Sequence, residues 1–276
     1  MMKLPGRRSK PLGEEQLRRI SHACKACYLI SRWRCPSGRR IACHGNRPMR
    51  AEEFDILRRH MLAEISACTL QLGDTIGRPA IDKRVMMALE KVPRHEFVPV
   101  ELQLYAYANI PLPIGFDKTI SQPFIVALMT DLLDIAAGDA VLEIGTGLGY
   151  QAAVLAQLAK QVYSMEIIEE LGQEAKRRLR EQGCNNVELR IGNGYQGWSE
   201  HSPFDKIIVT AAPDLIPPPL IHQLKAGGKM VIPAGLPEAQ QLILLEKHDN
   251  GRVTTKEILA VRFSQLEETE PGATSN

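Results

Sequence analysis

Three glycines at alternate positions, Gly145, Gly147 and Gly149, follow the apolar run Val141-Leu142-Glu143-Ile144, and an acid, Glu166, closes a second apolar run 21 residues after Gly145. Glycines there let the backbone turn tightly and bring its amides close to a ligand. An acid in that register is placed to accept hydrogen bonds from ribose hydroxyls. The glycines alone fit a ligand-free strand-to-helix turn equally well, and it is the register of Glu166 that favours a nucleoside pocket. The dinucleotide fingerprint sets its third glycine one residue later, against a helix that receives a pyrophosphate. Alternate glycines therefore favour S-adenosylmethionine, which has no phosphate, over a nicotinamide dinucleotide.

The elements that must position these residues follow from periodicity. Phe54, Ile56, Leu57, Met61, Leu62, Ile65 and Leu70 recur at mostly helical spacing over 52–72, and the pattern returns over 81–91 until Pro93 ends it. Pro111-Leu112-Pro113-Ile114-Gly115 is too rich in proline for a helix or central strand and reads as an exposed loop. Beyond Ser121, the run from Phe124 to Leu133 is a helix entering the core. The chain then alternates: strand 140–144, helix 150–159, strand 161–166, helix 168–182, strands 187–191 and 205–210, helix 217–224, strand 228–233. Such alternation predicts an α/β fold, a doubly wound, mostly parallel sheet with helices on both faces. Its ligands bind beyond the carboxyl ends of the strands, where the glycine turn, Glu166 and the loop Gly192-Asn193-Gly194 should converge. Residues 241–246 and 254–263 read as two final strands joined at Asp249-Asn250-Gly251.

The 276 residues suffice for one large core or one core with a small appendage, and their net charge of +2 hides an asymmetry. Residues 1–50 carry 13 of the 34 basic side chains and two of the 32 acidic ones, net +11, which leaves −9 on residues 51–276. The first fifty residues also lack clear periodicity, which predicts a disordered or weakly ordered extension ahead of a domain over 51–270. The acidic remainder argues against nucleic acid as the main substrate. No apolar run approaches the roughly 20 residues of a membrane span, and no secretory signal is evident, so a cytoplasmic protein without membrane contact is expected. Cys24, Cys27, Cys35 and Cys43 lie in the extension beside His22 and His44. Cys24 and Cys27 have zinc spacing, but Cys35 and Cys43 do not form a second close pair, and reduced, unligated cysteines are the favoured reading. Met49 opens the periodic sequence, so the extension is either read-through from an upstream start codon or a regulatory addition.

Several segments together resemble the protein-L-isoaspartate O-methyltransferase family. They are Val92-Pro93-Arg94-His95-Glu96-Phe97-Val98-Pro99, Pro111 to Gly115, Thr119-Ile120-Ser121-Gln122-Pro123, Glu143 to Tyr150, Pro203 to Ala212, and Leu224 to Pro233. The resemblance runs over about residues 52–266, and Thr119 to Pro123 is its most family-specific part. It implies a Rossmann-like class I methyltransferase fold with added N-terminal helices over 51–120, a cofactor core over 121–235 and antiparallel C-terminal strands over 236–270. The implied reaction is methyl transfer from S-adenosylmethionine, leaving S-adenosylhomocysteine, to the free carboxylate of L-isoaspartyl residues in damaged proteins and peptides. The ester then closes spontaneously to a succinimide. A carboxylate with a pKa near 4 is already a nucleophile at neutral pH, so no general base is called for.

By the same resemblance Ser121 is the catalytic residue, its hydroxyl orienting the acceptor carboxylate. Taken alone, a serine before Pro123 reads first as a helix cap, and only the resemblance reverses that order. The cofactor-binding set implied is Thr119, Ile120, Glu143, Gly145, Thr146, Gly147, Gly149, Glu166, Asn193 and Gly194, with Glu166 on the ribose and the glycines forming a backbone wall. Substrate-binding residues are expected at Pro113, Ile114 and Gly115 and at Ser264 and Gln265; no metal is expected, and the family is usually monomeric. Two positions depart from the family pattern. Asn193 stands where aspartate is usual, keeping a carbonyl acceptor without the charge, and Asn-Gly also simply favours turns. Ser264-Gln265 replaces a Val-Pro pair before Leu266, which leaves open another carboxylate as acceptor. A module that binds nucleic acid or a membrane surface through the basic extension is a further alternative; the extension lacks the aromatic residues that a stacking surface interleaves with its charges.

Overall fold

The computed structural model of the chain describes residues 49–268. The extension before Met49, with the four cysteines weighed as zinc ligands, lies outside the described residues. In chain order the elements are α1 (Ala51–Ile76), α2 (Lys83–Lys91), β1 (Leu112–Gly115), β2 (Lys118–Ile120), α3 (Pro123–Leu133), β3 (Ala140–Ile144), α4 (Tyr150–Ala156), β4 (Gln161–Glu166), α5 (Glu169–Glu181), β5 (Val187–Ile191), β6 (Phe204–Val209), α6 (Pro218–Gln223), β7 (Leu224–Ala234), β8 (Gln241–Lys247) and β9 (Val253–Ala260). Short 3-10 turns at Arg94–Phe97 and Val100–Tyr105 connect α2 to β1.

Seven strands form one sheet in the order β5-β4-β3-β6-β7-β8-β9. Pairing is parallel from β5 to β7 and antiparallel for β7–β8 and β8–β9. The chain leaves β3 toward β4 and later returns to its other side as β6. The switch point thus lies at the carboxyl end of β3, where such sheets bind ligands. Successive residues of β3 serve opposite cores. Leu142 and Ile144 join Met165, Ile207, Val209 and Leu220 on one face, whereas Val141 joins residues of α1 to α5 on the other. A strand buried on both faces reads as a mostly apolar run, which is why β3 and β4 match the expected boundaries; the edge strand β5 matches through the alternation of Val187, Leu189 and Ile191 with exposed Glu188 and Arg190.

α1 runs one turn beyond the expected 52–72. Its buried Phe54, Met61, Ile65, Thr69 and Ile76 keep one stripe against the core until Gly77, at φ 70, ends the helix in a left-handed conformation. The expected exposed loop at Pro111 to Gly115 is a correction: Leu112–Gly115 is a strand paired antiparallel with Lys118–Ile120. The hairpin is separate from the main sheet, and Pro113 faces outward between buried Leu112 and Ile114. A proline lacking its N–H is tolerated on such an edge, so proline content misled the reading. Both residues at the hairpin tip, Phe116 (φ 53) and Asp117 (φ 55), are left-handed, as a two-residue turn of this hand requires. Among the described residues no helix is long and apolar enough to cross a membrane.

Candidate active site

Gly145, Gly147 and Gly149 have φ of 94, 56 and 97, a region side chains rarely enter, so the turn after β3 depends on glycine for its shape. It depends on glycine for space as well. A Cβ on Gly145 would lie 2.5 Å from Thr210 Oγ1, whose hydroxyl donates to the Gly145 carbonyl at 2.7 Å. On the β4 side, the amides of Gly145 and Thr146 donate to the Met165 carbonyl at 2.8 and 3.2 Å.

Glu166, the last residue of β4, meets this turn directly: Gly147 N donates to its Oε2 at 2.7 Å. Oε1 accepts from the amides of Ile167 and Ile168 at 3.0 and 3.1 Å, ahead of α5. Burial pushes its pKa up, while these three amides and the charge of Lys118 pull it back. Backbone amides therefore fix the carboxylate's orientation, and Oε2, with a single amide donor, keeps a lone pair for a further one. A glycine-walled turn beside a fixed carboxylate fits a nucleoside that presents ribose hydroxyls.

Beneath the turn, Glu143 is fully buried in the middle of β3. Thr146 and Ser164 hydroxyls lie 2.6 Å apart, and Ser164 donates on to Glu143 Oε2. Burial, reinforced by the negative charge of Glu166, raises the Glu143 pKa to about 8. At neutral pH the acid is protonated, and it reaches the turn only through the two hydroxyls. The loop after β5 closes the site from the other side. A Cβ on Gly194 would lie 2.4 Å from Ile144 Cγ2, so the loop approaches the end of β3 as closely as glycine allows. Asn193 Oδ1 accepts from Tyr195 N at 2.9 Å, capping a short 3-10 turn. A cleft of ≈ 540 Å³ borders Met165, Ile191, Gly192 and Asn193.

The residues expected on the acceptor side lie on the hairpin and just ahead of α3. Ile114 covers the glycine turn, its Cδ1 3.1 Å from where a Gly147 Cβ would be. Pro113 pairs with Thr119 and Leu112 with Ile120. Ser121 follows at once. The capping reading does not hold, because the cap position of α3 is Gln122, without a side-chain bond, and Pro123 begins the helix. The amide that a serine cap would have served, Phe124 N, donates instead to Asn109 Oδ1 at 3.0 Å. Ser121 is half-buried, and its carbonyl accepts from Arg94 Nη2 at 2.7 Å.

The C-terminal segment borders the same end of the sheet. Ala212, just past β6, donates its amide to the Ser264 carbonyl at 2.8 Å and accepts from Leu266 N at 3.0 Å, with Gln265 bridged between. Buried Gln240 grips Phe263 from both sides, accepting its amide at 2.6 Å and donating to its carbonyl at 3.2 Å. Lys118 of the hairpin pairs with Glu267, which joins hairpin and C-terminal segment.

The glycine turn, Glu166, Gly194, Ile114 and Thr119 thus share one end of the sheet, as their positions in the chain suggested. Thr210, Gln240, Arg94 and Asn109 were not singled out. Arg94 and Thr210 lie within segments quoted for the resemblance, but their partners are distant in sequence. Gln240 and Asn109 carry no pattern at all.

A family model described as Protein-L-isoaspartate(D-aspartate) O-methyltransferase (PCMT) matches residues 76–271. A relative from Polaromonas sp. named protein-L-isoaspartate O-methyltransferase 1 is 63% identical over 224 residues, covering 81% of this chain and 95% of the relative. One from Syntrophobacter fumaroxidans, named protein-L-isoaspartate O-methyltransferase 2, is 52% identical over 216 residues, 78% of this chain and 87% of the relative. Among solved structures, a protein-L-isoaspartate O-methyltransferase superposes with a TM-score of 0.66 at 29% identity, covering 76% of this chain and 66% of that one. A putative protein-L-isoaspartate O-methyltransferase from Plasmodium falciparum, solved with S-adenosyl-L-homocysteine, shares the fold: TM-score 0.64 at 22% identity, over 77% of this chain and 99% of the other. With the family model over most of its length and relatives above half identity, this chain belongs to the protein-L-isoaspartate O-methyltransferase family.

Proposed function

We propose that the chain carries out the reaction of its family through the residues assembled at the carboxyl end of β3. The reaction is methyl esterification of the free carboxylate of L-isoaspartyl residues in damaged proteins and peptides. When bound, S-adenosylmethionine supplies a methyl group already activated on a sulfonium sulfur. An acceptor oxygen forms the new O–C bond as the S–C bond breaks, the electron pair stays on sulfur, and no proton moves. An anion and a cation become two neutral products, so a site that strips water from the anion favours transfer over the resting state. The protein's task is then alignment, which in well-oriented reactions accounts for about 7–11 kcal/mol of a barrier.

The observation that carries this reading is the contact between Glu166 and the glycine turn, Gly147 N to Glu166 Oε2 at 2.7 Å, with Ile114 closing over the same glycine. Glu166 takes the ribose hydroxyls. Gly145, Thr146, Gly147 and Gly149 form the wall behind the cofactor, and Asn193 and Gly194 border its base. Glu143 supports the wall from below, while Thr119 and Ile120 bring the hairpin against it. Ser121 donates to the acceptor carboxylate and orients it. Pro113, Ile114, Gly115, Ser264 and Gln265 line the path of the substrate backbone, residues 121–235 form the cofactor core, and 51–120 with 236–270 enclose the acceptor. The chain works as a cytoplasmic monomer on protein and peptide substrates, and the −9 charge over residues 51–276 disfavours nucleic acid.

Ser121→Ala tests the assignment. Methyl transfer to an isoaspartyl peptide should fall about tenfold or more while cofactor affinity changes by less than about twofold, since one charge-assisted hydrogen bond contributes roughly 1.5–3 kcal/mol. Wild-type turnover would remove Ser121 from the reaction.

A further inference from the structure

Arg94 is the largest fully buried side chain in the described structure, and no acidic side chain pairs with it among the described residues. Burial lowers its pKa only to about 10, so it remains a cation at neutral pH. A buried charge without an ionic partner is expensive, and this one is held by two carbonyls and an aromatic ring. Nε donates to the Ala106 carbonyl and Nη2 to the Ser121 carbonyl, both at 2.7 Å. The guanidinium carbon sits 4.7 Å from the centroid of the Tyr150 ring, the residue that follows Gly149. One side chain therefore touches both halves of the site: the turn that carries Ser121 and the first residue beyond the glycine turn.

The surroundings hold Arg94 itself in place. Arg178 of α5 donates to the carbonyls of Glu96 and Val98 in the same segment. His95 stacks on Phe54 of α1 with centroids 3.7 Å apart, and its Nδ1 lies 2.8 Å from Tyr107 Oη. A second restraint acts on the far side of the Ser121 turn, where Asn109 Oδ1 accepts from Phe124 N at 3.0 Å. Residues 121–124 are thus gripped at both ends by side chains from the connection between α2 and α3.

We propose that Arg94, with Asn109 as its counterpart, is a positioning residue for methyl transfer, bridging the Ser121 carbonyl and the Tyr150 ring so that the acceptor serine stays fixed relative to the cofactor turn. The proposal rests on the reading of Ser121 as the group that orients the acceptor. It touches neither cofactor nor acceptor directly, so its effect falls on the rate of transfer and not on cofactor binding. In-line transfer is steep in geometry: a misplacement of about 1 Å costs roughly 100-fold. Lysine would keep the charge but lose the planar fork that serves two carbonyls at once.

The test compares Arg94→Lys, Arg94→Met, Asn109→Ala and Ser121→Ala with the full wild-type chain. It measures kcat and KM on an isoaspartyl peptide, S-adenosylmethionine affinity, and thermal stability. Arg94→Lys should lose about 10- to 100-fold in kcat with cofactor affinity within about twofold, and Asn109→Ala should show a smaller loss of the same kind. Wild-type kcat in Arg94→Lys overturns the proposal, as does a loss of kcat, cofactor affinity and stability in step, or an Arg94→Met protein as active as wild type. Should the Arg94 variants fail to fold, wild-type kcat in Asn109→Ala overturns the proposal and a selective kcat loss there supports it. Wild-type turnover in Ser121→Ala sinks the reading of Ser121 itself, whereas a slow Ser121→Ala beside a fast Arg94→Lys sinks only the role of Arg94.

Discussion

Replacing Glu143 by glutamine removes one titration from the middle of the sheet and little else, since glutamine keeps the size of the side chain and an oxygen for the Ser164 hydroxyl. In the native protein burial raises the pKa of this acid to about 8, while an unfolded chain returns it to its ordinary 4.5. The native state therefore binds the proton more tightly, and linkage makes stability fall as pH rises through that interval. The loss is present in the wild type and absent from Glu143→Gln. Well inside the window it amounts to about 1.4 kcal/mol per pH unit, so between about pH 5.5 and 7.5 the wild type should lose roughly 2–3 kcal/mol relative to the variant. Below the unfolded value both states are protonated and the difference vanishes. Urea unfolding of both proteins at pH 5.5, 6.5 and 7.5 measures it, because groups common to both cancel in the difference. A difference in unfolding free energy that stays constant across the three pH values would refute the reasoning, since it would mean that Glu143 is ionised in the native state or accessible to water.

Two further substitutions probe the walls of the site. Gly194→Ala puts a methyl 2.4 Å from Ile144 Cγ2 and must displace either the loop or the end of β3. The expected cost is about 1–3 kcal/mol of stability together with weaker S-adenosylmethionine binding, read by thermal unfolding and calorimetry; unchanged values in both would show that the loop has room to spare. Gln240→Ala removes both hydrogen bonds to Phe263, about 1–2 kcal/mol of local stability. Hydrogen exchange should quicken over residues 261–267 and KM for an isoaspartyl peptide should rise, with cofactor affinity held. An equal loss of cofactor affinity would place the C-terminal segment on the cofactor instead of the substrate.

Much of the sheet was legible because its central strands are buried on both faces. The runs at 140–144 and 161–166 match the structure at both ends, since a largely buried parallel strand leaves an apolar signature that polar loops interrupt sharply, and 187–191, at the sheet edge, shows instead the two-residue alternation of Val187, Leu189 and Ile191 with exposed Glu188 and Arg190. The hairpin was missed for the opposite reason. β1 is four residues long and stands outside the main sheet, so two prolines outweighed the alternation of buried Leu112 and Ile114 with exposed neighbours. β7 begins at Leu224, four residues before the expected start, through a stretch where Gly227 and Gly228 mask the pattern. The meeting of the glycine turn with Glu166 was legible because the two lie at consecutive strand ends in fixed register. The contacts around Ser121 and the C-terminal segment were legible only as separate segments. Arg94 reaches Ser121 across 27 residues and Gln240 reaches Phe263 across 23, and neither distance has a periodic signature. A lone arginine in a short connection reads as surface, because nothing local to it announces that it will be buried without an acid.

Delivery of a methyl group from this pocket to an isomerised aspartyl carboxylate, and not to an ordinary one, is what distinguishes the proposed reaction. The most direct measurement incubates the purified chain with methyl-labelled S-adenosylmethionine and two peptides of one sequence, one carrying L-isoaspartate and the other ordinary aspartate. Base-labile label is expected on the isoaspartyl peptide and background on its twin. Equal labelling of both peptides, or labelling of neither by a protein that binds the cofactor, would contradict the proposed reaction.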